Sequence, residues 1–534
     1  MRRPERFILV AVAIGLAACR VGPKYSKPVT PAPLVYKETA PSGYKSLPGT
    51  WQAAKPSETL PKGRWWEIFH EPELNALEER LNIDNQTVAQ FFQNFMAARA
   101  MVRQARSAYY PTVTATPSAN VSGTGGGNTG AVIGTGGTGA TGTTGTGVTT
   151  AAPRQGGFAI FDFFALPFDV SWQPDLWGRV RNTVNAARYG AQVSAADLEN
   201  QRLTEQASLA VFYFELRGQD LLQDLYNRTI AADVEMVKLT RVLVETGIDS
   251  PETLAQAELT LRDAEAAGIG IATNRAIYEH AIATLIGQPA SNFSMPVKPL
   301  TTPVPAIPVG LPSQLLERRP DIAAAERTMA EANANIGVAV SAYYPNVSLT
   351  AAGGLQSSTL STLFSVPSLF WSLGASAAQT IFDAGLRHAT VEQFTATYQA
   401  DLAAYRQTVL TAFQQVEDYI ATLRVTSQQI SAQREAVAAG QRNLDISSAR
   451  WETGLDPYLN VITAQTTLLT DQQTLATLRV TEMVAAVQLV QALGGGWDVS
   501  ELPSPADVTS KGTPGRLAAG ADSKAPAGST SHPR

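Results

Sequence analysis

The residue types that carry most protein chemistry are thinly spread in this chain. Its four histidines are His70, His280, His388 and His532, and its one cysteine is Cys19. No two of them stand at a metal-ligand spacing, and no Gly-x-Ser-x-Gly elbow is present to raise a nucleophilic serine. The Gly/Thr-rich run 122–150 holds Gly-x-Gly matches such as Gly123 with Gly125, but no strand leads into a helix there. It reads as a loop between strands rather than a phosphate cradle. His280 and His388 fall on helical faces. The residues therefore predict no catalysis, no metal and no cofactor. A net charge of −5 over 534 residues predicts no nucleic-acid partner.

Cys19 has a different chemistry in prospect. Arg2, Arg3 and Arg6 precede an apolar stretch, Phe7 to Ala18, and Leu16-Ala17-Ala18-Cys19 follows. Residues 1–18 read as a bacterial secretory signal. The last four residues resemble a lipobox, whose cysteine is acylated and becomes the first residue of the mature chain. Cys19 would then carry a diacylglycerol and an acyl chain. As a lone cysteine it makes no intrachain disulfide. Position 20 is Arg, not the Asp that retains bacterial lipoproteins at the inner membrane, which favours the outer membrane.

The elements that must position anything here come in two copies. Gly178 and Gly385 open proline-free helical stretches, Glu245-Thr246-Gly247-Ile248-Asp249 and Glu452-Thr453-Gly454-Leu455-Asp456 close them, and Gly287 and Gly494 end the returning helices. From 178 to 385, 247 to 454 and 287 to 494 the step is always 207. One constant step at three landmarks means an internal duplication. Long helices are predicted at 178–246 and 251–287, and again at 385–453 and 457–494. Helices of roughly 100 Å at 1.5 Å per residue must bury their seams along one another as a rod or a tube. Helices at 72–108 and 312–342 have apolar residues at coiled-coil steps, Val88, Phe91, Phe95 in one and Ile322, Met329, Ile336 in the other. Each ends in Ser-Ala-Tyr-Tyr-Pro, at 107–111 and at 341–345.

After each of those prolines the apolar period switches to two. Strands are predicted at 112–122, 158–173, 346–357 and 368–382. Val113, Ala115, Ala119 and Val121 alternate with Thr, Ser and Asn, and Phe158, Ile160, Phe164, Leu166, Phe168, Val170 and Trp172 form one face. Val347, Leu349, Ala351 and Leu355, then Leu369, Trp371, Leu373, Ala375 and Ala377, repeat it. Apolar-out, polar-in strands of about ten residues are the signature of an outer-membrane barrel, with Tyr109-Tyr110 and Tyr343-Tyr344 at the membrane interface. Four strands cannot close a barrel, and open edges are not tolerated in lipid, so copies of the chain must pool strands. Three copies would give twelve. The organisation is a tether at 19–63, a first repeat at 64–288, a linker at 289–311, a second repeat at 312–497 and a disordered tail at 498–534.

These residues resemble the outer membrane factor family, the TolC-like and NodT-like exit ducts of tripartite efflux systems. The likeness rests on Cys19-Arg20-Val21-Gly22-Pro23-Lys24-Tyr25 with Pro28, Trp65-Trp66 with Phe69, Leu311-Pro312-Ser313 through Leu316-Glu317-Arg318-Arg319-Pro320-Asp321-Ile322, Ala325-Glu326, and the paired glycine turns. It implies an α+β membrane protein. Each homotrimer would carry a twelve-stranded β-barrel in the outer-membrane lipid above a periplasmic α-barrel of coiled-coil helices. It implies passive transport of drugs or small solutes from an inner-membrane pump of the RND class through a periplasmic membrane-fusion adaptor. The tips at Gly247, Ile248, Asp249, Gly454 and Leu455 would take the adaptor. The gate would lie at Leu459, Asn460 and Thr463, with Asp456 nearer the tip. Where relatives project an acidic side chain this chain has Thr463, so closure is expected to depend on Leu459 packing and tip hydrogen bonds. Two alternatives share parts of the pattern: protein export in a type I system, and a periplasmic adaptor lipoprotein with no pore. The second lacks the four alternating strands.

Overall fold

The computed structural model describes residues 20–28, 33, 36–38, 63–124, 159–307 and 315–510. Cys19, most of the Gly/Thr-rich run and the chain beyond 510 lie outside the described residues. The helices are α1 (Pro72–Asp84), α2 (Gln86–Ser107), α3 (Arg179–Glu245), α4 (Pro251–Leu285), α5 (Leu315–Arg318), α6 (Pro320–Ser341), α7 (Leu386–Glu452) and α8 (Tyr458–Ala492). The strands are β1 (Thr112–Ala115), β2 (Ser118–Thr124), β3 (Ala159–Trp172), β4 (Asn346–Ser357) and β5 (Leu369–Ala378). α3 and α7 are each 67 residues, α4 and α8 each 35, and α2 and α6 each 22. Equal lengths in both copies are what a duplicated chain should give.

The chain forms two compact units. In the first, all strands join one antiparallel sheet. β1 and β2 follow one another along the same edge of β3, which pairs with β4, which pairs with β5. The sheet is thus four strands wide. The expected strand 112–122 is broken because Pro117 has no N–H to give the ladder; Thr116 still donates to the Pro167 carbonyl at 3.3 Å. Pro167 itself faces Gly354 across the ladder. A Cβ there would stand 2.2 Å from the Leu166 carbonyl oxygen, so only glycine fits. β5 stops at Ala378, short of the expected 382. Asp383 instead caps α7, accepting from the Gly385 N–H at 3.1 Å and the Arg387 N–H at 3.3 Å. Asp175 does the same for α3 through Val180 and Arg181, at 3.0 and 2.9 Å. Each carboxylate satisfies N–H groups that the first helical turn leaves unpaired.

In the second unit the long helices pack on one large apolar core with smaller clusters beside it. Trp65, Trp66 and Phe69 are the buried residues of a short 3₁₀ turn, Trp65–Phe69. They pack with Leu74, Leu81, Tyr213, Phe214, Ile282, Val487 and Leu489. The Trp-Trp…Phe motif is therefore a core wedge, its Trp65 indole N–H held by Gln206 at 3.2 Å. The expected helix 72–108 breaks at Asn85, whose backbone is extended. Asn85 caps α2 by accepting from the Val88 N–H at 2.9 Å, and donates to the Leu285 carbonyl at 2.8 Å. The expected helix 312–342 likewise divides into α5 and α6 at Arg319, the residue that Pro320 pushes away from helical geometry. At these breaks each repeat closes on the end of its own returning helix. Added Cβ atoms on Gly287 and Gly494 would stand 2.4 Å from the Asp84 carbonyl oxygen and 2.1 Å from that of Arg318. Arg319 also caps the end of α8 by donating to the Ala492 carbonyl at 3.0 Å.

Both terminal segments pack on the body where described, the N-terminal one as expected of a tether and the C-terminal one against expectation. Residues 498–510 pack down, with Val508 fully buried beside Phe95, Val102 and Ala195, and Arg99 donating to the Ser510 carbonyl at 2.8 Å. The disordered reading of 498–534 fails over its first third, because Leu502 and Val508 supply the apolar contacts that polar composition hid. The N-terminal strap is held by Tyr25, which donates to Glu326, and by the Lys37 and Glu38 N–H groups on Glu417 at 2.7 and 2.9 Å.

Candidate functional site: the open sheet and the helix tips

The register sorts the sheet into two faces. Val170 lies between Val113 and Ala351, and Ala351 pairs on with Leu373; Trp172 pairs with Leu349, and Leu349 with Ala375. Since side chains alternate along a strand, every apolar set read from the sequence falls on one face. The other carries Thr112, Thr114, Asn120, Ser348, Thr350, Gln356, Ser372 and Ser376, with Asp169 among them. The sorting is mixed near the loop end of the sheet: Phe163 and Phe370 share the polar face, and Asp162, opposite Val121, falls on the apolar one. Among the described residues nothing covers the apolar face. Leu373 is 77% exposed, Trp371 75% and Val121 71%. A water-soluble sheet would cover this face. Among the described residues no strand pairs with the outer edge of β1 and β2 or of β5.

Aromatic side chains gather at the helix-proximal end of the sheet. Trp172 donates to the Tyr109 carbonyl at 3.1 Å, Trp177 donates to the Pro345 carbonyl at 2.8 Å, and its ring stacks on Tyr344 at 5.0 Å. The Arg387 guanidinium lies over the Tyr343 ring at 5.4 Å. Amphipathic rings with a bonded polar end suit a boundary between hydrocarbon and water.

The two helix tips are alike in backbone. Gly247 has φ +75° and Gly454 φ +70°. Ile248 donates to the Leu243 carbonyl at 2.9 Å and Leu455 to that of Arg450 at 2.8 Å, while the glycine N–H groups bond one turn back. This is the Schellman closure, which needs a left-handed residue and so favours glycine. Ile248 and Leu455 are 74% and 70% exposed, apolar residues offered at the extremity of each tip. The side chains differ. At the first tip Asp249 accepts from the Ser250 N–H and the Thr253 hydroxyl, both at 2.7 Å, and Ser250 caps α4. At the second, Pro457 replaces that cap. Asp456 is gripped instead by Arg450, at 2.6 and 3.2 Å, which holds its carboxyl below the usual carboxylate range.

Leu459, Asn460 and Thr463 lie just beyond, all on the exposed side of α8. Within one chain Leu459 packs on nothing extensive, being 59% exposed. The Thr463 hydroxyl is committed to the Leu459 carbonyl at 2.8 Å. Behind them Trp451 and Tyr458 meet at 5.1 Å in a small core with Val237, Leu261 and Val461.

Sequence reading missed the charged group nearest this core. Asp233 of α3 is 3% exposed, accepts from Gln465 of α8, and keeps one oxygen without a partner. Burial raises its carboxyl above the usual range, and burial, with Asp233 nearby, pushes Tyr458 up to about 12. A groove of about 400 Å³ opens beside it, lined by Asp233, Met236, Leu444 and Gln465. The available signal was an acidic residue at a seam position of a long helix.

Known proteins share this architecture. The family description "Outer membrane efflux protein" matches residues 78–288 and 311–495. The chain is 28% identical over 498 residues to the toluene efflux pump outer membrane protein TtgC of Pseudomonas putida, covering 92% of this chain and 95% of that one. It is 29% identical over 472 residues to the pyoverdine export outer membrane protein OpmQ of Pseudomonas aeruginosa, covering 88% and 94%. Its fold is similar to that of the outer-membrane channel OprN, with a TM-score of 0.75, 26% identity, and coverage of 90% and 100%. An exposed apolar sheet, duplicated 67-residue helices and a match over both repeats lead to one conclusion: the chain belongs to the outer membrane efflux protein family.

Proposed function

We propose that three copies of this chain close their sheets into one twelve-stranded barrel and form the exit duct of a tripartite, RND-type efflux system. The observation that carries this reading is the sheet itself: four strands wide, with one face apolar and uncovered and both outer edges unpaired among the described residues. Unpaired edges are untenable in lipid, and three chains of four strands give an even number, as bacterial barrels require. Drugs or small solutes pass from pump and adaptor through the duct by diffusion. The relatives are named for toluene in one case and pyoverdine in the other; a wide duct has little reason to select, and selection is assigned to the pump. Acylation at Cys19 anchors the protein to the outer membrane.

The adaptor docks at the exposed Ile248 and Leu455 tips. Closure depends on Leu459 meeting its counterparts around the axis and on the backbone hydrogen bonds that close the tips, with no acidic ring at Thr463. In single-channel recordings Leu459→Ala should raise the conductance and leave cation sensitivity unchanged. An unaltered conductance in that variant, with opening by Asp456→Ala, refutes this account of the gate. The function is tested in a deletion strain. Loss of the chain should sensitise cells to small toxic compounds and raise accumulation of a fluorescent dye. If both stay normal while a secreted protein disappears from the medium, the duct serves type I export instead.

A further inference from the structure

The uncovered face of the sheet has a groove of about 520 Å³ at its helix-proximal end, lined by Val170, Trp172, Leu349, Ala351, Leu373 and Ala375. Residue size makes the groove. Along one cross-strand row stand Trp172, Leu349 and Ala375, and along the next Val170, Ala351 and Leu373. Ala351 lies low between Val170 and Leu373, and Ala375 lies low beside Leu349, so the trough runs obliquely from β4 to β5. Neighbouring strands are about 4.8 Å apart, so a trough one small residue wide suits a single extended hydrocarbon chain.

The chain's own N-terminal segment is fixed beside it. Val21 donates to the Trp177 carbonyl at 3.2 Å. Arg20 lies against Gly178, where an added Cβ would be 3.2 Å from the Arg20 Cα, and the φ of +81° admits glycine. Trp177 is in turn tied to Pro345, the residue before β4, by its ring N–H and by the stack on Tyr344. The residue next to Cys19 is thus held at the foot of β4. Leu349 and Ala351 stand four to six residues along that strand, roughly 13–20 Å at 3.3 Å per residue. An acyl chain spans one leaflet, about 15 Å or half the hydrocarbon core. Reach, polarity and width agree.

We propose that this groove on β3, β4 and β5 is the seat of an acyl chain carried by Cys19, so that the lipid anchor packs as part of the barrel wall. The proposal rests on the outer-membrane, acylated reading above. Its occupant is covalent and intramolecular, delivered by Arg20 and Val21, and the alternative occupant is a free membrane phospholipid.

The test is metabolic labelling of the full chain with a fatty acid bearing a terminal photoreactive group, followed by irradiation of whole membranes and mapping of adducts by mass spectrometry. The expected result is an N-terminal acyl adduct concentrated in 170–172, 349–351 and 373–375. That adduct should be lost when Ala351→Trp fills the trough, and also in the milder Ala375→Leu, with both variants still in the outer membrane. Adducts spread evenly toward Leu355 and Leu369, or unchanged by both fillings, overturn the proposal. So does a groove adduct that survives in Cys19→Ala, because the occupant is then a phospholipid. So too does an N-terminus that takes up no label. Membrane fractionation keeps the two failures apart. Outer-membrane protein without the groove adduct sinks only this inference, and protein found elsewhere sinks the functional reading as well.

Discussion

Glu78 of α1 offers a sharp test of the helical core. It has no exposed surface, and neither carboxylate oxygen has a hydrogen-bond partner among the described residues. Burial pushes its carboxyl well above the 4.5 of an ordinary glutamate. The fold therefore tolerates the neutral acid and resists the anion. Stability from this group is fully present below the unfolded value and drains away as pH rises toward the folded one. The loss accrues at about 1.4 kcal/mol per pH unit until the folded group ionises. Between pH 5 and pH 7 that is up to about 3 kcal/mol. Glu78→Gln keeps the shape and cannot ionise; the bond from Asn82 to the residue 78 carbonyl, at 2.9 Å, survives it. Denaturant unfolding of the detergent-solubilised protein, followed by helical circular dichroism, should give coincident curves for variant and parent at pH 4. The variant should gain steadily to pH 7. Curves that stay parallel at every pH, or a variant weaker at pH 7, would refute the reasoning, since the carboxylate would then have a partner.

Two further outcomes follow from the same packing. Arg217→Met removes a guanidinium that is 2% exposed in its side chain, pairs with Asp220 at 3.0 Å and with Glu73, and donates to the Pro296 carbonyl at 2.7 Å. It leaves Asp220 to Arg275 alone among side chains; the expected cost is about 3 kcal/mol, with earlier protease cleavage in 295–302 as the specific sign, and uncleaved linker would contradict it. Gly354→Ala should abolish the heat-modifiable sheet on gels, overpacking costing about 1–3 kcal/mol. Gly353→Ala, whose Cβ would meet nothing nearer than 3.7 Å, should not, and equal behaviour of the two would argue against the β3–β4 register.

How much of this was legible in the residues depends on what each signal encoded. The step of 207 between Gly247 and Gly454 is written in composition, and equal helices follow from it. The two faces of the sheet are written in alternation, because a strand's side-chain period is fixed. The break at Asn85 was hidden, since Asn inside a seam looks like any polar residue until it caps Val88 and reaches the Leu285 carbonyl from α1's end. Val508 was hidden for another reason: one apolar residue in a polar tail has no period to announce it. Glu78 and Asp233 occupy seam positions that hydrophobic patterning reads as noise. Leu459 and Thr463 were placed on α8 by resemblance; both are exposed in a single chain, and in the proposed trimer they would face other copies.

The most direct measurement is the mass of the protein particle extracted from the outer membrane in mild detergent. The account predicts three copies of the chain per particle, because only pooled strands satisfy the open edges of β1, β2 and β5. A monodisperse particle holding a single copy, with its apolar sheet intact, would contradict it.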